Sequence, residues 1–183
     1  MLFCIPIANF AQAPSLGAAA KFVLFSSNGA VTNGVILSHL TGSVGTNGGG
    51  TSTGFGNVDG VMHDGDSVSA QASTDLTTAY NLLNSAIPTF FPSTTMGNGT
   101  TLNAGIYSIS GDAVLNLDLT LNAEGNSNAV FIFQISSTFS IHTGAKIKLI
   151  NGAQACNVFW KVEGLVSVAT SAVMRGTIVA NNA

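Results

Sequence analysis

After Pro92 the chain consists of short apolar runs separated by Gly, Asn, Ser and Thr. The run 129–135, AVFIFQI, is apolar on both faces, which predicts a strand that is covered twice. Leu115, Leu117, Leu119 and Leu121 alternate with polar residues, which predicts one strand with a single wet face. Cys156 begins another alternating run and is expected to be a small core residue. Several short strands of this kind are compatible with a sandwich, a barrel or a solenoid.

One segment has helical periodicity. Apolar side chains at Ala72, Leu76, Tyr80, Leu83 and Ile87 recur every three or four residues, which predicts one amphipathic helix over 67–87. Ser67 is the expected N-cap. Pro88 ends the run, because the residue before a proline is kept out of the helical region. The helix is expected to pack on the core and to have no functional role of its own.

Charged residues are rare. Lys and Arg number five and Asp and Glu eight, which is 7% of the 183 residues, whereas an ordinary soluble domain carries about 25%. So few basic residues exclude nucleic-acid binding, which needs clustered Lys and Arg. No apolar run reaches the roughly 18 residues of a membrane-spanning helix. The surface must therefore consist of hydroxyls, amides, methyls and backbone, which suits a neutral and repetitive hydrogen-bonding partner.

The first residues resemble a secretion signal. The apolar run MLFCIPIANF precedes Ala11-Gln12-Ala13, which has the form of a signal-peptidase site. We therefore expect residues 1–13 to be the remnant of a signal peptide, the protein to be secreted, and residues 14–183 to form a single domain.

No catalytic or metal-binding motif stands out. His63-Asp64-Gly65-Asp66 is the most site-like cluster, but acidic residues before a helix also favour its dipole. Asp112 and Asp118 could share a face, as the carboxylates of a polysaccharide-cleaving β-helix do. The acids are otherwise scattered singly, and no hydrolase, zinc or nucleotide fingerprint is present. The sequence predicts no enzyme, no cofactor and no metal.

A weak internal repeat favours a solenoid. The segments 109–114, 141–147 and 168–173 each place Ser or Thr, then Gly or Ser, between two strand-like runs. Repeats of 20 to 50 residues are typical of stacked coils. The intervals are uneven, so the coils are expected to be irregular.

Several blocks of sequence resemble the DUF3494-type microbial ice-binding (antifreeze) proteins. The blocks are Leu16-Gly17-Ala18-Ala19, Thr41-Gly42-Ser43-Val44-Gly45, residues 75–81 (DLTTAYN), 104–107 (AGIY), 128–135 (NAVFIFQI), 150–160 (INGAQACNVFW) and 176–180 (GTIVA). The resemblance implies a mainly β fold, a discontinuous right-handed β-solenoid of triangular cross-section with one long α-helix along one face. It also implies strands beyond residue 183, so the domain is expected to be truncated at its C-terminus.

The resemblance further implies that one flat, exposed face binds ice. Family members often carry a Thr-Ala/Gly-x-Thr/Asn pattern there, of which Thr143-Gly144-Ala145-Lys146 and Thr170-Ser171-Ala172-Val173 keep only the first Thr. We expect a monomer that binds an ice crystal surface through hydroxyls at the repeat corners and in the strands beside them. The predicted contact residues are Thr53, Ser110, Thr138, Ser140, Thr143, Ser167 and Thr170. The alternative is an extracellular adhesion or carbohydrate-binding solenoid.

Overall fold

A computed structural model describes residues 12–34 and 39–181. Within these ranges the chain forms two compact units, one over Pro14–Leu82 and one over residues 83–181. Of the predicted signal remnant 1–13, only Gln12 and Ala13 are among the described residues. The expectation of one domain over 14–183 stays a prediction. In the described ranges no helix is long and apolar enough to cross a membrane.

The described residues of the first unit, 14–34 and 39–82, contain seven short strands and most of one helix. The strands are β1 (Phe22–Ser26), β2 (Val31–Thr32), β3 (His39–Leu40), β4 (Ser43–Thr46), β5 (Ser52–Thr53), β6 (Asn57–Val58) and β7 (Met62–Asp64), with a short 3-10 helix (Gly17–Lys21) before them and α1 (Ser67–Ser85) after them. Every pairing is parallel, and the sheets are β1-β4-β7, β2-β5 and β3-β6. The chain therefore visits three sheets in turn before it returns to the first.

The helix α1 begins at Ser67 and ends at Ser85, close to the predicted 67–87. Its N-cap is Asp66 rather than Ser67, because the Asp66 carboxylate accepts a hydrogen bond of 2.8 Å from the Ser69 backbone N–H. Ala72 and Leu83 are buried as the periodicity predicts. The expectation for Ile87 is wrong: it follows the last helical turn and is 80% exposed.

Two of the sequence blocks meet in the first unit, at Gly17 and Asp75. Asp75 Oδ2 accepts a 2.7 Å hydrogen bond from the Ala18 N–H, which ties the 3-10 helix to α1. A Cβ at Gly17 would lie 2.2 Å from that same oxygen, and the residue has a φ of +51°. Only glycine satisfies both conditions without a shift of the backbone or of Asp75.

The second unit contains eleven strands. They are β8 (Thr95–Met96), β9 (Thr101–Asn103), β10 (Gly105–Ile109), β11 (Ala113–Leu115), β12 (Leu119–Asn122), β13 (Phe131–Ile135), β14 (Phe139–Ile141), β15 (Ile147–Ile150), β16 (Val158–Val162), β17 (Val166–Val168) and β18 (Thr177–Ala180), with a 3-10 helix at Ala155–Asn157. They form three parallel sheets, which we call sheet 1 (β10-β13-β16-β18), sheet 2 (β8-β11-β14-β17) and sheet 3 (β9-β12-β15). From β10 to β17 successive strands belong to sheets 1, 2 and 3 in turn, so each pass through the three sheets forms one coil that stacks on the previous coil. Within the described residues, the last coil has no strand in sheet 3 and joins it only by the bridge between Lys146 and Val173.

The coils are unequal in length. In sheet 1, Gly105 is partnered with Phe131 and Phe131 with Val158, so these two coils are almost equally long. The next coil is much shorter, since Phe159 is already partnered with Thr177. The extra residues of the longer coils lie in the turns 123–130 and 151–157, between sheets 3 and 1, and in the strands of sheet 3, which the last coil reduces to one bridge between Lys146 and Val173. Strand register is therefore kept while these turns absorb the difference.

This inequality corrects the predicted repeat. Ile141 is partnered with Val168, as the alignment of the second and third segments requires. Ile109 is partnered with Ile135 and not with Ile141. The first segment turns from sheet 1 to sheet 2, whereas the other two turn from sheet 2 to sheet 3. The sequence similarity of the three segments therefore aligned two different corners of the coil.

One column of aromatic rings runs through the core of the second unit. Phe90, Tyr107, Phe133 and Trp160 occupy equivalent positions on successive coils. Their ring centroids are separated by 4.9, 5.0 and 3.9 Å, and all three pairs are stacked. Burial raises the pKa of Tyr107 to about 12, and its hydroxyl donates to the Asn103 carbonyl. Parallel strands lie about 4.8 Å apart, a spacing that lets identical ring positions stack.

Two strand predictions need correction. Leu115 and Leu119 are buried, but the chain turns a corner between them, and Leu117 is 57% exposed. The leucine alternation therefore spans two strands, β11 and β12, rather than one. Cys156 is exposed in the 3-10 helix before β16 and is not a core residue.

We expect Phe133→Ala to lower the free energy of unfolding by about 3–5 kcal/mol, the usual cost of removing a buried aromatic ring. Phe133 is fully buried between Tyr107 and Trp160. Phe91→Ala is the matched control, because Phe91 is 76% exposed and its loss should change stability by about 0.5 kcal/mol or less. Urea unfolding of both variants measures the difference, and equal losses would contradict a core built on this column.

Candidate functional site

The outer side of sheet 1 is covered. Ile132, Phe159 and Lys161 alternate with the core residues of β13 and β16, yet each is no more than 4% exposed. Gln134, on the same side, donates 2.7 Å hydrogen bonds to the carbonyls of Leu83 and Ala86. Lys161 pairs with Glu163. Within the second unit, sheets 2 and 3 are therefore the surfaces on which outward side chains reach solvent.

Sheet 2 carries one outward row of small, uncharged side chains. Thr95, Val114, Ser140 and Ser167 occupy equivalent positions on β8, β11, β14 and β17. We call this set the outer row. On β11 and β14 its neighbours along the strand face the core: Ala113, Leu115, Phe139 and Ile141 are at most 2% exposed. Because parallel strands lie about 4.8 Å apart, the outer row repeats at that interval from coil to coil.

The hydroxyls of the outer row are available to water. Those of Thr95, Ser140 and Ser167 form no hydrogen bond with any other described residue. Thr95 and Ser167 are exposed, and Ser140 is half-buried. The row therefore offers hydroxyl and methyl groups to solvent, and its hydroxyls remain free to hold water molecules.

Two predicted residues lie at the corner that follows sheet 2. Thr143 and Thr170 are both exposed, and their positions stack because the strands on either side of the corner are in the same register. The Gly144 N–H donates a 3.2 Å hydrogen bond to the Thr170 carbonyl, which joins the two coils there. Ala145 is 2% exposed and faces the core. The structure thus brings Ser140, Ser167, Thr143 and Thr170 to one side of the second unit.

The other three predicted residues lie elsewhere. Thr138 precedes β14, and its hydroxyl donates to Asp112 Oδ1 at 2.9 Å. Ser110 is exposed at the corner between sheets 1 and 2. Thr53 belongs to the first unit, where it is exposed and partnered with Thr32.

Asp112 links the two coils at the entry to sheet 2. Its Oδ1 accepts hydrogen bonds from Ser137 Oγ at 2.6 Å, Thr138 Oγ1 at 2.9 Å and the Thr138 N–H at 3.3 Å. These bonds, led by that from Ser137, hold the pKa of Asp112 below its usual value. The carboxylate thereby fixes the start of β14 against the end of the preceding corner.

Asp118 links the same coils at the exit of sheet 2. It accepts a 3.1 Å hydrogen bond from the Lys146 N–H and forms a 2.6 Å ion pair with Lys148. The bond from Lys148 lowers the pKa of Asp118. His142 and Asn116 form a further link of 2.8 Å between the coils. The carboxylates of Asp112 and Asp118 flank the outer row and are occupied by structural contacts.

The acidic cluster before α1 is likewise occupied. Asp66 caps the helix and contacts His63 Nδ1 at 2.6 Å, while Asp64 accepts hydrogen bonds from Ser52. Among the described residues no group of three His, Cys, Asp or Glu side chains is arranged to hold a metal ion. Asp112 and Asp118 lie at opposite corners of sheet 2 and do not form a pair.

Sequence reasoning missed several outward residues. Thr95 and Val114 complete the outer row. The tripeptide Thr-Leu-Asn occurs at 101–103 and again at 120–122, and the structure places the two copies on neighbouring strands of sheet 3. This exact repetition is a signal in the sequence for the pairing of the two strands.

Comparisons with known proteins agree with this architecture. The model of the Ice-binding-like family matches residues 25–183. The chain is 36% identical over 175 residues to an ice-binding protein of Nostoc sp. (strain HG1), covering 94% of this chain and 64% of that protein.

Two solved structures are also similar. An ice-binding protein from an Antarctic bacterium, Flavobacteriaceae, superimposes with a TM-score of 0.90 and 57% identity, covering 92% of this chain and 40% of that one. The DUF3494 domain of Shewanella frigidimarina ice-binding protein_1 gives a TM-score of 0.72 with 27% identity, covering 94% and 97% of the two chains. This chain thus spans less than two thirds of the Nostoc protein and of the Flavobacteriaceae chain.

We expect Asp112→Asn to destabilise the protein at neutral pH but not in strong acid. The folded-state pKa of Asp112 is lowered, so the ionised group stabilises the fold above its unfolded pKa of about 3.9. That contribution is lost as the pH falls through the folded-state pKa. Urea unfolding at pH 7 and pH 2 should show a gap between wild type and variant that closes in acid. Thr138→Val, which removes one of the three donors, should give a smaller gap, and a gap independent of pH would contradict the assignment.

Proposed function

Because the chain belongs to the Ice-binding-like family, we propose that it binds ice crystals and restrains their growth and recrystallisation. The match confirms the family expected from the sequence blocks, including NGAQACNVFW. The observation that supports the proposal most directly is the outer row, four stacked uncharged side chains of which three carry hydroxyls that form no bond with described residues. We assign the ice contact to sheet 2 and its following corner, at Ser140, Ser167, Thr143 and Thr170 together with Thr95 and Val114.

The physical basis is a rigid surface that orders water. The strands hold the hydroxyls of neighbouring coils at a fixed spacing, because parallel strands lie about 4.8 Å apart. Water molecules that bridge polar groups cost little to immobilise when the site is rigid, and neighbouring methyl groups order the water beside them. Each contact is weak, but many contacts on one surface act together, as in any multivalent association.

The distribution of charge supports sheet 2. A free ammonium or carboxylate orients water strongly around itself, which an ice plane does not accommodate. The outer row has no charged member, and Asp112 beside it accepts three hydrogen bonds from protein groups. The row also lacks an aromatic ring on which a sugar could stack, so we favour ice over the carbohydrate-binding alternative and propose a non-catalytic role.

We further propose that the coils form a right-handed solenoid of triangular cross-section, with the end of α1, from Leu83, against sheet 1. The three sheets of the coils support a cross-section with three sides. Crossover connections between parallel strands are right-handed in about 98% of cases. The bonds from Gln134 to the carbonyls of Leu83 and Ala86 support the place of the helix.

The decisive experiment is cold-stage microscopy of single ice crystals in the purified protein. Faceted crystals that stop growing over a temperature interval would support the proposal. Round crystals that grow freely, in protein shown by circular dichroism to be folded, would overturn it.

We expect Ser140→Tyr and Ser167→Tyr each to reduce the temperature interval of arrested growth by about half or more, because a bulky ring prevents close approach along the whole row. Thr143→Tyr and Thr170→Tyr should also reduce it without unfolding the protein. Asn128→Tyr is the control, since Asn128 is exposed in the turn between sheets 3 and 1. If all four variants keep the wild-type interval while folded, the ice contact lies off sheet 2.

We propose, finally, that the protein is secreted, on the basis of the Ala11-Gln12-Ala13 motif. Expression of the full chain in a secreting host should yield protein in the medium whose first residue, determined by N-terminal sequencing, is Pro14. Protein that stays in the cell with residues 1–13 intact would contradict this.

A further inference from the structure

The outer side of sheet 3 carries a second ordered array of uncharged side chains. Strand β9 and the end of β12 have the same sequence, Thr-Leu-Asn, and are paired in exact register, Thr101 with Thr120 and Asn103 with Asn122. The intervening Leu102 and Leu121 pack in the core. We call Thr101, Asn103, Thr120 and Asn122 the Thr/Asn grid. The grid measures about 4.8 Å between strands and about 6.6 Å along each strand.

The four side chains of the grid differ in their hydrogen bonding. Asn122 Nδ2 donates to Asn103 Oδ1 at 3.2 Å, and Asn151 Nδ2 donates to Asn122 Oδ1 at 2.8 Å. This ladder fixes the orientation of the amides. The hydroxyls of Thr101 and Thr120, in contrast, form no hydrogen bond with any other residue that the structure describes. The grid therefore combines immobilised amides with hydroxyls that are free to bind water.

Charge limits the grid to two strands. On β15, the position next to Thr120 is Lys148, whose ammonium pairs with Asp118 at 2.6 Å. The position next to Asn122 is Ile150, which is 39% exposed. The third strand of sheet 3 thus breaks the pattern, and the uncharged array ends at β12.

The grid is continuous with the proposed ice contact. Residues 97–100 connect β8 to β9, and residues 116–118 connect β11 to β12. The same coils therefore carry Thr95 and Val114 of the outer row and, a few residues later, the Thr/Asn grid. The two surfaces therefore adjoin along one corner of these coils.

We propose that the Thr/Asn grid is a second ice-contact surface, which binds ice in a different orientation from the outer row. The inference rests on the proposed function. The occupant is ordered water rather than a sugar, because the grid is uncharged, periodic and without an aromatic ring. Two contact surfaces of different orientation allow the protein to adsorb to more than one set of crystal planes.

The test is labelling of a single-crystal ice hemisphere with the full chain fused to a fluorescent protein. Wild type should label two sets of planes. Thr120→Tyr and Thr101→Tyr should each remove one set, keep the other, and reduce the interval of arrested growth by about twofold or more, since one of two linked contacts is lost. Ser140→Tyr should remove the complementary set, and Asn128→Tyr should change neither.

The outcomes separate this inference from the proposed function. Wild type that labels no plane overturns both. Wild type that binds ice, with the plane pattern and growth interval unchanged in folded Thr101→Tyr and Thr120→Tyr, overturns the second surface alone. Loss of all labelling in Thr120→Tyr supports the grid as a contact and indicates that the main site is not on sheet 2. Should a tyrosine variant fail to fold, Thr120→Val removes the hydroxyl and preserves the shape of the side chain, and an unchanged pattern in that variant also overturns the inference.

Discussion

Parallel, in-register stacking of strands is the constraint on which the second unit depends. Each residue of a strand lies directly beside an equivalent residue of the next coil, about 4.8 Å away. An inward position must therefore suit a column of similar side chains, as in the stack of Tyr107, Phe133 and Trp160. An outward position becomes one member of a repeating row. The same geometry thus produces both the core and the surface, and neither can be changed without regard to the register.

The few charged groups are used to join one segment to another. Asp112 and Asp118 each bridge neighbouring coils at a corner of sheet 2. Asp66 caps α1, and Asp75 holds the 3-10 helix before β1. Several carboxylates are therefore bound to protein donors, which explains why their pKa values are lowered. Their contacts lie at corners and caps, and the outer row of sheet 2 between two of these corners consists of neutral side chains, as the proposed ice contact requires.

Much of the fold, but less of the site, could be predicted from the sequence. The helix is local, so periodicity located it closely, and the doubly apolar run 129–135 contains the strand Phe131–Ile135, which is covered on both sides. The family blocks established the kind of domain. Coil boundaries were harder, because successive coils differ in length and place equivalent positions at unequal intervals along the chain.

The unequal coil lengths affected the prediction of the candidate site most. Ser140 and Ser167 were both predicted and prove to be partners. Thr138 resembled them in sequence, but its hydroxyl is bonded to the Asp112 carboxylate of the preceding coil. Thr101 and Thr120 became neighbours only once the register of sheet 3 was known. A surface row is formed by strand pairing, and the sequence of one strand does not specify which strand lies beside it.

The unequal coils have an evolutionary consequence. Because the turns 123–130 and 151–157 absorb changes of length while the strands keep their register, a mutation that inserts or deletes residues there preserves the register of both core and surface rows. Duplication of a whole coil would add one more tier to each column and one more member to each row. Such a domain acquires a larger adsorbing area by tandem duplication within its gene, without the invention of any new motif, and its lineages can diverge in length while they share one cross-section.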